Sequence, residues 1–170
     1  ITTGIYLNTN KEFTLTNNDI NGTIGTGIHI LQGTVTIIQS NITSTGPAGT
    51  GIKLAGGTNH VIGTDGTWGD RNVLSNLATG IKLEDETVNA SSVTITFNDL
   101  STNNTLAINN ADTGDANAIL KAPKNRFSGF TDPIADVNNN KDYVTYAPWC
   151  SNASCSTFAQ DITNSDKTLY

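Results

Sequence analysis

The chain of 170 residues has room for one hydrophobic core, so a second independently folded domain is not expected. Its net charge is −6 and its nine lysines and arginines are scattered. This distribution excludes the basic patch that binding to nucleic acid or to an anionic membrane requires. No apolar run approaches the roughly 18 residues needed to cross a bilayer, so no membrane span is expected.

The composition indicates an all-β fold with many corners. Only 36% of the residues are hydrophobic and methionine is absent, whereas the chain contains 27 threonines and 22 asparagines. Threonine favours strands, while asparagine and glycine favour tight turns. The composition therefore predicts short strands joined by sharp turns.

One four-residue pattern, glycine and isoleucine followed by any residue and then leucine or isoleucine, returns along the chain. It reads GIYL at 4–7, GIHI at 27–30 and GIKL at both 51–54 and 80–83, and a weaker copy, LAIN, begins at Leu106. A second apolar stretch recurs in each period, as FTLTNNDI (13–20), VTIIQSNI (35–42), NVLSNL (72–77) and VTITFNDL (93–100). Its alternation places apolar side chains on one face of a strand and threonines on the other.

The repetition predicts a parallel β-solenoid of about five coils, because each turn of chain performs the same structural role and stacks on the previous turn. The predicted columns of equivalent inward residues are Phe13, Val35 and Val93, then Leu15, Ile37 and Ile95, then Ile20, Ile42 and Leu100. Within the GIxL pattern, glycine makes the corner while isoleucine and the fourth residue point inward. The alternative is a β-sandwich whose strands resemble one another by coincidence.

The longest insertion, NHVIGTDGTWGDRNVLSN (59–76), precedes the last GIKL copy. Together they resemble the pattern N-x-I-G-G, G-x-R-N-V-I-S-x-N and G-I-x-L of right-handed parallel β-helix repeat proteins, a bacterial and archaeal surface type within the pectate-lyase-like superfold. The chain departs from this pattern at Thr64 and Asp70. The resemblance covers about residues 1–150. It implies a right-handed coil but no particular activity, because members of the family do many things.

The stretch KNRFSGFTDPIADVNNNKDYVTYAPWC (124–150) resembles the usual ending of that family. The last coil of a solenoid exposes apolar side chains and strand edges that must be covered. The predicted organisation is therefore parallel β-helix coils over 1–129, then a C-terminal cap and tail over 130–170. A platform for stacking sugars is the alternative role for the five aromatic residues predicted to form the cap, which are Phe127, Phe130, Tyr143, Tyr146 and Trp149.

The first coil, ITTGIYL, follows no polar cap or amphipathic helix in this sequence. We therefore expect its apolar end to be covered by a preceding segment or by another copy of the molecule. Head-to-tail contacts that do not close into a ring give filaments. The expected partners are copies of the chain itself, and glycans in the alternative.

Catalysis by a β-helix lyase or hydrolase requires clustered carboxylates with a proton acceptor or donor. The long loop carries candidates that could converge, Asp65, Asp70 and Arg71, with His60 beside them. No acidic pair recurs at matching positions of adjacent coils, so solvated loop residues are the favoured interpretation. The corner Glu84-Asp85-Glu86 is likewise interpreted as solvated.

The third GIxL position forms an outward column of Tyr6, His29, Lys53 and Lys82, which is predicted to face solvent. Near the C-terminus, side-chain oxygens alternate as in the start of a calcium loop. Lysine replaces the usual glycine there and the bidentate glutamate is missing. The favoured interpretation is therefore an asparagine-rich turn, and calcium binding is the alternative. The four residues concerned are Asp136, Asn138, Asn140 and Asp142.

Cys150 and Cys155 are close enough in sequence to form a small disulfide loop, which would place the chain outside a reducing cytosol, although free thiols are the alternative. A structural asparagine ladder is predicted at one corner from Asn18, Asn76 and Asn98. Glycosylation sequons occur no more often than chance predicts, at Asn21, Asn41, Asn89, Asn103 and Asn152.

The sequence thus predicts a non-catalytic, extracellular, structural or adhesive module that belongs to a surface assembly or fibril built by head-to-tail contacts. No cofactor is expected apart from the calcium alternative. The alternative function is a carbohydrate-active enzyme or a glycan-binding module. An ice-binding solenoid is disfavoured because the repeat periods are uneven.

Overall fold

The structure is a computed structural model that describes residues 2–64, 66–84, 88–100, 104–111, 120–127, 134–136, 144–145, 149–150, 152, 154–156 and 158–159. Its strands in chain order are β1 (Thr3–Thr16), β2 (Asp19–Gly22), β3 (Thr26–Ile38), β4 (Asn41–Ser44), β5 (Thr50–Leu54), β6 (Val61–Ile62), β7 (Asn72–Ser75), β8 (Thr79–Leu83), β9 (Thr94–Ile95), β10 (Asn98–Asp99), β11 (Leu106–Asn110), β12 (Leu120–Lys121), β13 (Ile134–Asp136), β14 (Val144–Thr145), β15 (Trp149–Cys150) and β16 (Phe158–Ala159). Short 3-10 turns occupy Trp68–Asp70 and Ala90–Ser92.

The chain forms an all-β parallel solenoid, as the repeats predict, with about four turns where the sequence indicated about five. Strands of successive turns pair in parallel at three positions around the coil. The GIxL position joins the first half of β1 to the first half of β3 and then to β5, β8, β11 and β13. The second position joins the later halves of β1 and β3 to β6, β9, β12 and β14, and the third joins β2, β4, β7 and β10. The right-handed sense of the coil stays a prediction.

The predicted registers are confirmed. At the first position the isoleucines stack directly, in the order Ile5, Ile28, Ile52, Ile81 and Ile108. Leu15 lies beside Ile37, and Ile20 lies beside Ile42, as the sequence indicated. These inward columns form one continuous core, and Ile28, Ile52 and Ile81 have no exposed surface.

Two details of the repeat differ from the prediction. The fifth copy begins one residue late, because Ile108 rather than Ala107 stacks on Ile81. In the third turn the second strand is Val61–Ile62, which is too short for its alternation to be visible in the sequence. His60, just before it, takes the inward place between Val35 and Val93 and is fully buried.

Glycine at the corner is required by the approach of the next turn. A Cβ added to Gly51 would lie 2.6 Å from the carbonyl oxygen of Gly80 and 2.7 Å from Cδ2 of Leu74. Gly4 and Gly27 face the next turn in the same way, at 2.7 and 2.6 Å from its carbonyl oxygen. The glycine therefore makes room for the next turn's backbone, which explains why it recurs.

The asparagine ladder exists, but with one member different from the prediction. Asn72 Nδ2 donates to Asn98 Oδ1 at 2.8 Å, and Asn98 Nδ2 donates to Asn125 Oδ1 at 2.9 Å. Asn18 joins through Ser40, to which its Nδ2 donates at 3.2 Å. Asn76 was the wrong choice, because the pairing of β7 with β10 places Asn72 beside Asn98.

Each buried amide in the ladder also satisfies a main-chain carbonyl at the end of the second strand. The acceptors of Asn72, Asn98 and Asn125 are the oxygens of Ile37, Ile62 and Ile95, at 2.8 to 2.9 Å. A buried carbonyl without a partner is costly, so the ladder allows the chain to turn the corner inside the core. Its role is structural.

We predict that Gly51→Ala lowers the free energy of unfolding by about 3 kcal/mol, because a new Cβ cannot avoid the Gly80 carbonyl. Gly46→Ala is the matched control. A Cβ there meets nothing within 4 Å, so stability should change by less than about 0.5 kcal/mol. Urea unfolding followed by circular dichroism measures both, and equal effects would contradict the proposed role of the corner glycine.

Candidate functional site

The long loop uses its charged residues to hold its own shape. Asp70 ends a 3-10 turn, and its two carboxylate oxygens accept hydrogen bonds from Gln39 Nε2 at 2.6 Å and Thr67 Oγ1 at 2.9 Å. The Arg71 guanidinium lies 5.0 Å from the centre of the Trp68 ring and donates to the Trp68 carbonyl. These contacts give both catalytic candidates structural partners.

The other catalytic candidates do not join them among the described residues. His60 is fully buried, with Nδ1 accepting from the Val35 amide at 3.3 Å and Nε2 lying 3.0 Å from the Gly56 carbonyl oxygen. Asp65 lies outside the described residues. A catalytic role for the loop stays the alternative to solvated loop residues.

The predicted disulfide between Cys150 and Cys155 is confirmed. Both cysteines are buried, and they form a small second cluster with Phe97, against which Trp68 packs. The Cys150 amide donates to the Asn125 carbonyl at 2.9 Å, which attaches this loop to the end of the ladder. The disulfide closes the loop on itself, while this hydrogen bond and the packing with Phe97 and Trp68 hold the loop against the solenoid.

Most residues of the predicted cap and calcium site lie outside the described part of the chain. Phe127 is partly buried against the main core, as a cap residue should be. Trp149 lies in β15 and Asp136 lies in β13. The remaining cap residues, Phe130, Tyr143 and Tyr146, and the remaining calcium candidates, Asn138, Asn140 and Asp142, lie outside the described residues. Both sites stay predictions.

The sequons differ in how accessible the asparagine is. Asn21, Asn41 and Asn89 are exposed and Asn152 is partly buried, while Asn103 lies outside the described residues. The hydroxyl two residues later donates to the Asn41 Oδ1 at 3.1 Å and to the Asn152 Oδ1 at 3.2 Å. Glycosylation stays a prediction.

The outward column beside the isoleucines carries aromatic and charged side chains in contact with each other. Tyr6 is 52% exposed and meets the His29 ring edge-on, with centroids 5.2 Å apart. Below them, Glu84 accepts from Lys53 at 2.9 Å and from Lys82 at 3.2 Å, so one carboxylate bridges two turns. Sequence reasoning assigned Glu84 to a solvated corner, although its position just after GIKL places it beside both lysines.

The surroundings of this column shift the pKa of two of its side chains, His29 and Glu84. Burial lowers the pKa of His29, the Lys53 charge lowers it further, and Glu84 opposes them only in part. Burial would raise the pKa of the Glu84 carboxyl, but the hydrogen bonds and charges of Lys53 and Lys82 outweigh it and leave the pKa below its ordinary value. Near neutral pH, His29 is therefore uncharged and Glu84 is ionised.

The first turn leaves one end of the core open among the described residues. Ile5, Leu7, Phe13 and Leu15 pack on the core but are only partly buried, whereas their second-turn equivalents are at most 1% exposed. A groove of about 460 Å³ opens beside them, lined by Gly4, Ile5, Asn18, Asp19, Ile20 and Asn21. We call this surface, the outer edge of β1 together with the groove, the open end.

No family model, curated protein or solved structure matches this chain significantly. The resemblance to surface β-helix proteins thus extends only as far as the parallel β-solenoid itself. Within the described part of the chain, no helix has the length and apolar character of a bilayer span.

We predict that stability falls as the pH is lowered through about 6.5, the ordinary pKa of histidine. Burial lowers the pKa of both His29 and His60 in the folded state, so the unfolded chain takes up protons first. Protonation of Glu84 adds a further loss below its ordinary pKa of 4.5.

Urea midpoints at pH 7.5 and pH 5 measure this effect. His29→Gln should reduce the difference between the two midpoints without abolishing it, because His60 still titrates. Identical midpoints for the natural sequence at both pH values would contradict the prediction.

Proposed function

We propose that this chain is a non-catalytic structural module of an extracellular surface assembly, and that copies associate through the open end. The observation that carries the proposal is the difference between the first two turns. The same inward columns are fully covered in the second turn and partly exposed in the first. Exposed apolar strand edges favour association with another chain.

The opposite edge of the same sheet supports the proposal independently. Strand β13 continues the isoleucine column at Ile134, and strand β14 continues the second position at Val144 and Thr145. The described sheet therefore begins and ends with strands at the same positions and in the same direction. Head-to-tail stacking would continue both strand positions from one copy into the next, and such contacts form filaments when they do not close.

The extracellular location is supported by the disulfide, since such bonds persist in oxidising compartments. The outward side chains support a scaffold role, because neighbouring turns are joined by hydroxyl and amide contacts such as Thr43 with Ser75 at 2.9 Å and Asn41 with Asp19 at 3.1 Å. A right-handed coil and an aromatic C-terminal cap belong to the same proposal.

Glycan binding is a second candidate, favoured by the exposed Tyr6 above His29 and Lys53. An exposed aromatic ring beside hydrogen-bond donors can stack on one face of a sugar. If this column binds glycans, Tyr6→Ala should abolish binding to immobilised oligosaccharides while Thr14→Ala, on the outward face of the same strand, leaves it intact. An enzyme would instead lose turnover of oligosaccharides in Asp65→Ala or Asp70→Ala.

Association through the open end is tested by placing a charge in it. Ile5→Lys should raise the concentration needed for self-association at least about tenfold, equivalent to about 1.4 kcal/mol. The lysine stem can still cover the core while its ammonium group reaches solvent through the open end. Thr14→Lys is the matched control, because it adds the same charge on the exposed outward face of the same strand.

Light scattering over a range of concentrations measures the association of both variants, with circular dichroism to confirm folding. A natural chain that remains a single 17.9 kDa species at all concentrations would refute self-association.

A further inference from the structure

One titratable side chain occupies an inward place in the apolar core. At the second strand position, Val35, His60 and Val93 fall at the same place in three successive turns, and all three are fully buried. The next members of this column are apolar as well, with Phe13 before Val35 and Leu120 after Val93. A valine would fill the same place, so packing alone does not explain the histidine.

The hydrogen bonds of His60 require a neutral ring in one tautomer. Nδ1 lies 3.3 Å from the Val35 amide, which can only donate, so Nδ1 carries no proton. Nε2 lies 3.0 Å from the Gly56 carbonyl oxygen, which can only accept, so Nε2 carries the proton. A second proton on Nδ1 would oppose the Val35 N–H and place a charge in an apolar column. In agreement, burial lowers the pKa of His60, although the bond to Gly56 opposes this shift.

No charged group among the described residues beside His60 offsets the cost of such a charge. The elements around it are β3, β6, β9, the 3-10 turn Ala90–Ser92 and the connection 55–59. Their only titratable side chain is His29 in β3, which lies in the outward column against Tyr6. The charges near His29 are those of Lys53 and Glu84, in the same outward column. A protonated His60 is therefore stabilised only by reaching water.

Strand β6 carries the second strand position across the third turn. It contains two residues, and β3 and β9 are linked at this position through it. The Gly63 amide donates to the Ile37 carbonyl at 2.8 Å, and the Thr94 amide donates to the His60 carbonyl at 2.9 Å. Because each turn of a solenoid contacts only its neighbours, release of β6 breaks this position between the second and fourth turns. We call β6 and the connection 55–60 the joint.

We propose that His60 makes the joint sensitive to acid, so that at low pH β6 detaches from β3 and β9 while the isoleucine column stays paired. The column is held separately by β5 and β8, each of five residues, and local opening of one such unit is common in folded proteins. Below the ordinary histidine pKa of 6.5, only the open form takes up the proton. Its population relative to the closed form should rise by up to about thirtyfold between pH 7.5 and pH 5. The inference does not depend on self-association.

Hydrogen exchange of the ¹⁵N-labelled full chain at the two pH values tests this proposal. Each amide's protection factor is calculated against its intrinsic exchange rate at the same pH. The amides that cross the joint are Val35, Gly63 and Thr94, while Thr50 and Thr79 connect successive turns at the first strand position and serve as the reference. From pH 7.5 to pH 5, the protection of the joint amides should fall at least about fivefold relative to the reference amides.

Two variants assign the effect to one histidine. His60→Gln keeps a donor and an acceptor but does not titrate, so the relative fall should disappear. His29→Gln is the matched control in the outward column and should retain it. Equal changes in the two groups of amides, no change in either, or a relative fall that persists in His60→Gln would each overturn the inference.

A second measurement on the natural chain keeps the test decisive if His60→Gln does not fold. Long-range ¹H–¹⁵N spectra of the imidazole rings report the protonation of each nitrogen. The His60 signals of the closed form should remain those of the neutral ring, with the proton on Nε2, at both pH values. A ring that becomes doubly protonated while the joint amides stay protected would overturn the inference.

Discussion

The stacking of equivalent residues from successive turns along the solenoid axis is the constraint on which the rest of this structure depends. Parallel strands of successive turns lie about 4.8 Å apart, so each inward side chain packs directly against its equivalent in the next turn. Ile28, Ile52 and Ile81 are fully buried for this reason. The corner glycine is part of the same constraint, because turns can approach so closely only where no Cβ meets the neighbouring carbonyl.

The same stacking determines how polar groups are tolerated. His60 occupies a place in an apolar column, but both of its ring nitrogens find main-chain partners. The ladder asparagines pass hydrogen bonds from turn to turn and satisfy the strand ends beneath them. Outside the core, stacking brings Tyr6, His29 and Lys53 into one column, and at the first turn it leaves the apolar columns uncovered.

The sequence predicted the parts of the fold that repeat. The isoleucine column and the pairing of Ile20 with Ile42 follow directly from the spacing of the GIxL pattern and its companion strand. Errors arose where one turn departs from the others. The insertion at 59–76 obscured the two-residue strand Val61–Ile62, and the ladder was assigned to Asn76 instead of Asn72.

The candidate site was less predictable, because its hydrogen bonds and ion pairs join residues from different turns. Sequence reasoning grouped Asp70 with His60 by their proximity in one loop, yet Asp70 is bound by Gln39 from the preceding turn and His60 is in the core. The bridge from Glu84 to Lys53 likewise joins residues about one period apart. Such contacts become visible only when the register of the turns is known.

The most direct test of the stacking register is a methyl NOE experiment on protein labelled at the δ1 carbons of isoleucine. The stacked register predicts sequential cross-peaks that link Ile28 to Ile52 and Ile52 to Ile81, with none between Ile28 and Ile81. Absence of those sequential cross-peaks, or amide contacts that pair these strands in antiparallel fashion, would contradict the solenoid and everything inferred from it.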